Sequence, residues 1–202
     1  MRNIKLSSAF FLLLGCCLSA LAVLASGKRT GAVELARKAP KKTVVYLVRH
    51  GEKASAQTMM SVAQAMAEDP ALTPAGQERA QALRDKLAGE KIEALFSTSY
   101  RRTQQTLQPL AEARNLTVQT YNVKDNAELV QRIKQDYNGK TVVVAGHSNT
   151  LLPLLEAFGA AKPIAEIADH EYDYLFKVTL QEGKPAKVEV LHYGKPSQAP
   201  AR

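Results

Sequence analysis

Cysteine is almost absent from this chain. Its 202 residues contain two, Cys16 and Cys17, adjacent and inside an apolar run near the N-terminus, and no tryptophan. Everything after residue 17 is therefore without a thiol, which excludes a disulfide framework and a cysteine metal site from the body of the protein. Aromatic residues are sparse at 6%, and the sequence shows neither an internal repeat nor a low-complexity tract, so collagen, coiled-coil arrays and wholesale disorder are excluded. Acidic charge is short as well: 19 Asp and Glu against 27 Lys and Arg leave a formal charge of +8. The length suits one domain with a full core and is too short for two large ones.

Where the positive charge sits decides what it means. Residues 1–26 hold Arg2 and Lys5 with no acid, and residues 28–42 hold Lys28, Arg29, Arg37, Lys38, Lys41 and Lys42 against Glu34. From Thr43 to Arg202, 19 basic side chains meet 18 acidic ones, a net of +1. A nucleic-acid-binding domain draws its affinity from a basic face that displaces counterions from phosphates. The domain retains no such excess, and nucleic acid is not an expected partner.

The first segment reads as a targeting element. Arg2 and Lys5 precede an uncharged run from Leu6 to Ala25, and Ala20-Leu21-Ala22 and Val23-Leu24-Ala25 both offer small-residue cleavage patterns. The run is also long enough to cross a bilayer as an uncleaved anchor, and Leu13-Leu14-Gly15-Cys16 resembles a bacterial lipobox. Lys28 and Arg29 oppose export, because cytoplasmic flanks are normally the basic ones. The expectation is an exported protein, periplasmic or membrane-attached through this segment. Residues 1–25 are thus a signal peptide or N-terminal membrane anchor, and residues 26–42 a basic polar linker that ends near Pro40.

Strand and helix patterns alternate from Thr43. Thr43 to Val48 is a β-branched run of the kind buried on both faces. Thr73-Pro74 opens a helix as N-cap and first residue, Ala80, Leu83 and Leu87 share a face, and Gly89 ends it. Ile92 to Phe96 predicts a strand, Arg101 to Ala113 a helix, Leu116 to Val123 a strand and Ala127 to Tyr137 a helix. Thr141 to Ala145 predicts a central strand and Thr150 to Phe158 a helix. Tyr174 to Leu180 and Lys187 to His192 flank Glu182-Gly183 as an antiparallel hairpin. The pattern calls for an α/β fold: a three-layer α/β/α sandwich with a largely parallel mixed sheet and a C-terminal hairpin edge, spanning residues 43–194 with a flexible tail over 195–202.

Ligands in such folds bind beyond the carboxyl ends of the strands. After the first strand comes Arg49-His50-Gly51-Glu52-Lys53, after the second Ser97-Thr98-Ser99-Tyr100-Arg101-Arg102, and after the fourth Gly146-His147-Ser148-Asn149-Thr150. A lone histidine after a strand is ordinarily a hydrogen-bonded rim residue, and arginines at a helix start are disfavoured unless an anion meets them. Three such loops on one rim outweigh those readings. Two arginines and two histidines delivered to one edge suit a dianion, and a phosphoryl group is the natural one. His170 and His192 have no comparable setting.

These residues resemble the histidine phosphatase superfamily in its phosphoglycerate-mutase-like branch. The Arg-His-Gly motif matches Val48-Arg49-His50-Gly51-Glu52, the Leu-Thr-x-x-Gly segment matches Leu72-Thr73-Pro74-Ala75-Gly76, the helix-opening pattern places Arg102 with Thr106 four residues on, and the Gly-His motif matches Gly146-His147. The His-Ser-Asn-Thr continuation resembles a small bacterial subgroup that is often exported. The resemblance implies that His50 is a nucleophile forming a phosphohistidine, with Arg49, Arg102 and His147 holding the phosphoryl oxygens and Ser148 and Asn149 touching a small phosphorylated substrate. It implies no metal and no cofactor, the guanidinium and imidazolium groups doing the electrostatic work. The glutamate proton donor of the mutase-like relatives has no match between Glu112 and Glu128, which leaves Glu52 and Asp173 as candidates and favours a phosphatase over a mutase. A phosphate- or phosphopeptide-binding module with little turnover is the reading of a different class.

Overall fold

The computed structural model describes residues 41–53 and 69–198, all within the unit Pro40–Arg202. The expected signal or anchor and nearly all of the basic linker lie outside the described residues. Among the described residues ten elements follow one another: β1 (Lys42–Arg49), α1 (Pro74–Lys86), β2 (Ile92–Ser97), α2 (Arg101–Arg114), β3 (Val118–Thr120), α3 (Asn126–Asp136), β4 (Thr141–Gly146), α4 (Ser148–Ala157), β5 (Tyr174–Gln181) and β6 (Lys187–His192). No helix among the described residues is long and apolar enough to cross a membrane.

The strands form one sheet in the order β3-β2-β4-β1-β5-β6. The first four are mutually parallel, while β5 runs antiparallel to β1 and β6 antiparallel to β5. Alternate residues of the buried strands feed two cores. Val45, Leu47, Phe96, Val142, Val144 and Phe176 pack with Leu129 and Ile133 of α3 and Leu151 and Leu155 of α4. Tyr46, Val48, Leu95, Val143, Ala145 and Leu175 pack with Leu83 of α1 and Leu107 and Leu110 of α2. The sheet is thus sandwiched between two helical layers, as the near-continuous apolar runs of its central strands require.

Several boundaries differ from the sequence reading, three of them with a visible cause. β3 is three residues long, because its partner β2 ends at Ser97, opposite Thr120, and leaves nothing further to pair with. α4 starts at Ser148 rather than Thr150, with His147 as N-cap: the His147 N–H donates to Thr150 Oγ1 at 2.9 Å. The expected tail is tied down over its first residues, where Ser197 Oγ donates to Asp173 Oδ1 at 2.6 Å and accepts the Tyr172 N–H, and Lys195 pairs with Glu78.

The loop after β1 is clamped by the start of α1. Thr73 caps that helix, accepting the Gly76 N–H at 3.1 Å, and donates its own N–H and hydroxyl to Glu52 O at 2.8 and 3.1 Å. Backbone meets backbone here: a Cβ on Gly76 would stand 2.3 Å from Glu52 O, and one on Gly51 2.8 Å from Gly76 O. The spaced Leu-Thr-x-x-Gly segment therefore exists to receive the loop that follows β1. Gly76→Ala is expected to destabilise the protein by about 1–3 kcal/mol through overpacking, measured by denaturant unfolding; an unchanged midpoint would contradict this contact.

Candidate active site

The register of β1 with β4 sets Arg49 opposite Gly146, and the His50 N–H donates to Gly146 O at 3.0 Å. The residues just past the two strands thus stand side by side, the His50 and His147 rings 5.3 Å apart edge to face. Thr106 of α2 accepts the Gly51 N–H at 2.9 Å and donates to Arg102 O at 2.7 Å, fastening the same loop to the arginine helix.

His50 is buried, 4% exposed. Its Nδ1 lies 2.7 Å from Gly51 O, a carbonyl that can only accept, so Nδ1 carries the proton and Nε2 keeps its lone pair. Burial drives the imidazole far below its ordinary range, to about 3, with Arg49, His147 and Arg102 adding to the effect against the Gly51 bond. His147 is depressed to about 4, again mainly by burial and then by the two arginines and Lys53. Its Nε2 is 3.2 Å from Thr98 Oγ1, which shares a 2.7 Å hydrogen bond with the buried Thr103 hydroxyl. Both histidines are neutral near pH 7, so the positive charge beside them belongs to Arg49, Arg102 and Lys53.

Arg49 spans two elements. Its Nη1 donates to Ala168 O and Glu171 O, both at 2.8 Å, and its guanidinium lies 4.1 Å over the Tyr172 ring. Arg102 stacks likewise over Tyr100, at 4.3 Å. Asp69 answers the disfavoured cations of the α2 start: its carboxylate accepts the Arg101 N–H at 2.9 and 3.2 Å and lies 3.6 Å from Arg102 Nη1. Even so, Arg49 Nε and Arg102 Nε and Nη1 are buried without a hydrogen-bond partner among the described residues. Unpaired buried donors are costly, and the two side chains that carry them reach one place.

That place is a cavity of about 470 Å³. Arg49, His50, Arg102 and His147 line it together with the expected contacts Ser148 and Asn149, which open α4. The two proton-donor candidates are not among its lining residues. Glu52 is held by Arg79 through Nε at 3.0 Å and Nη2 at 2.7 Å, and Asp173 is held by Ser197 and by His192 Nδ1 at 3.0 Å. Both carboxylates, the expected candidates, are thus engaged with other side chains and do not line the cavity. Lys53, Tyr100, Tyr172 and Asp169 were missed, yet all line the cavity. The signal for the last two lay in topology: β5 is antiparallel, so its start, not its end, reaches the functional edge.

Fold and cavity define a class: an α/β protein with a cavity lined by arginine and histidine at the carboxyl edge of its parallel strands. Residues 45–122 match the family model described as histidine phosphatase superfamily (branch 1). The matched stretch holds Arg49, His50 and Arg102; His147 lies beyond it in sequence and beside it in space. No curated protein matches the chain in sequence. Among solved structures, the alpha-ribazole phosphatase from Shigella flexneri aligns at TM-score 0.57 and 14% identity, covering 74% of this chain and 96% of that one. A mycobacterial glucosyl-3-phosphoglycerate phosphatase aligns at 0.56 and 14%, covering 77% and 100%, and a phosphoglycerate mutase from Bacillus anthracis at 0.51 and 16%, covering 75% and 93%. At such identities the likeness concerns the fold.

The depressed histidines link stability to pH. An unfolded histidine titrates near 6.5, while the folded values are about 3 for His50 and about 4 for His147. Between those limits the unfolded chain binds more protons, so stability falls as pH drops from about 6.5 toward 3. The melting temperature is expected to decline over that window, and less steeply in the His50→Gln/His147→Gln variant; equal slopes would refute the burial of neutral imidazoles.

Proposed function

We propose that the protein is a phosphomonoester phosphatase that works through a phosphohistidine on His50. The observation that carries this reading is a buried neutral imidazole, its Nδ1 proton committed to Gly51 O, lining the cavity that the unpaired arginine donors surround. Nε2 attacks phosphorus, Arg49, Arg102 and His147 hold the phosphoryl oxygens as charge shifts toward the leaving oxygen, and water then cleaves the N–P bond. The two guanidinium groups supply the fixed positive charge that the transferring group needs.

Hydrolysis is favoured over mutase chemistry. The segment after α2 contributes Val123 to the cavity and no carboxylate among the described residues, so the glutamate of mutase-like relatives has no counterpart there. The polar side chains of Ser148 and Asn149 beside Lys53 suit a small phosphorylated metabolite. The N-terminal segment supports the further reading that the enzyme is exported and meets its substrate outside the cytoplasm.

The purified full-length protein is expected to form an acid-labile phosphoenzyme from p-nitrophenyl phosphate in the presence of a chelator, and His50→Ala to form none. Arg102→Ala is expected to lower turnover by roughly 10²- to 10³-fold. Phosphate binding without turnover across a broad phosphomonoester panel would instead establish a binding module. Intact mass of the cellular product tests export: a loss matching cleavage near Ala25 or lipidation at Cys16 supports it, and an intact chain in the soluble cytoplasmic fraction overturns it.

A further inference from the structure

A phosphatase acting on an alkyl ester needs an acid for the leaving oxygen. Most carboxylates near the cavity are already engaged. Glu52 is clamped by Arg79, Asp69 caps α2 and faces Arg102, Glu171 Oε2 accepts the Ala168 N–H at 2.7 Å, and Asp173 holds Ser197 and His192. Asp169 is different. It is the one carboxylate among the described residues that lines the cavity, its side chain is fully exposed, and its Oδ1 lies 3.9 Å from Arg49 Nη2.

Its backbone is nonetheless fixed. The Glu171 N–H donates to Ala168 O at 3.0 Å, the Glu171 side chain closes the same turn from the other side, and Arg49 Nη1 grips both carbonyls. Asp169 is thus a free acid on a pinned turn, anchored by an arginine that lines the same cavity. We infer that Asp169 is the proton donor of the reaction, an inference that rests on the phosphatase reading above.

The step balances. His50 Nε2 bonds to phosphorus, the bond from phosphorus to the ester oxygen breaks, and the Asp169 carboxyl proton goes to that oxygen, releasing the alcohol and leaving Asp169 ionised. In the second half a water oxygen attacks phosphorus, the N–P pair returns to Nε2, and Asp169 takes the water proton, which restores the acid.

The test compares leaving groups in single-turnover formation of the phosphohistidine by the full-length protein. With glycerol 2-phosphate, whose alcohol leaves only when protonated, Asp169→Asn is expected to slow the step by about 10²- to 10⁴-fold. With p-nitrophenyl phosphate, whose phenolate leaves unaided, the loss is expected to stay under about tenfold, and Asp169→Glu to recover part of the rate on the alkyl ester. Equal losses on both substrates would mean that Asp169 only positions Arg49, and equal retention that it has no part in the reaction; either overturns the assignment while leaving the phosphatase reading intact. Absence of a phosphoenzyme from the unaltered protein on either substrate overturns both.

Discussion

The parallel pairing of β1 with β4 is the constraint on which the rest depends. With Arg49 facing Gly146 and His50 bonded to Gly146 O, two loops distant in sequence begin at the same height on the same edge. β2 adds its end from the far side of β4, where Ser97 faces Ala145, and so delivers the arginines of α2. A slip of one residue would reverse the face of every side chain in β1, exchanging Val45 and Leu47 for Tyr46 and Val48 between the two cores. Both cores are filled, so the register is held by packing on two sides at once, and the site inherits that rigidity.

Electrostatics then acts on what packing has assembled. The four nitrogen-bearing side chains, counted as cations, would repel one another in a buried pocket. Burial resolves this by holding both imidazoles neutral and leaving the charge on the two guanidinium groups, which protonate under all conditions met by proteins. The arrangement therefore sets neutral imidazoles inside a cationic frame, from residues that look alike in sequence.

Much of this was legible beforehand, for a physical reason. Loops after parallel strands must emerge at the carboxyl edge, so Arg49, His50, Arg102, His147, Ser148 and Asn149 could be assigned to one rim from strand order alone. Less legible were the pairings of side chains far apart in sequence. Glu52 lies two residues from His50 but is held by Arg79, 27 residues on, and Asp173 is held by Ser197, 24 residues on. Nothing local in the sequence announces such pairings. The turn 168–172 escaped because it precedes a strand, and only the antiparallel pairing of β5 with β1, with Leu175 opposite Val48, turns that beginning toward the rim.

The aromatic residues missed in the sequence explain how the arginines are kept ready. Arg49 lies over Tyr172 and Arg102 over Tyr100, so each guanidinium is held by its flat face. Stacking of this kind fixes position without consuming N–H donors, whereas fixing by carboxylates alone would have neutralised the charge and occupied the edge. Asp69 lies 3.6 Å from Arg102 and Asp169 3.9 Å from Arg49, distances at which Coulomb attraction orients a cation without a hydrogen bond to the carboxylate. Each unmade bond in a buried place costs about 1–3 kcal/mol. An anion in the cavity would offer those donors acceptors, which is the physical sense of leaving two arginines with spare N–H groups there.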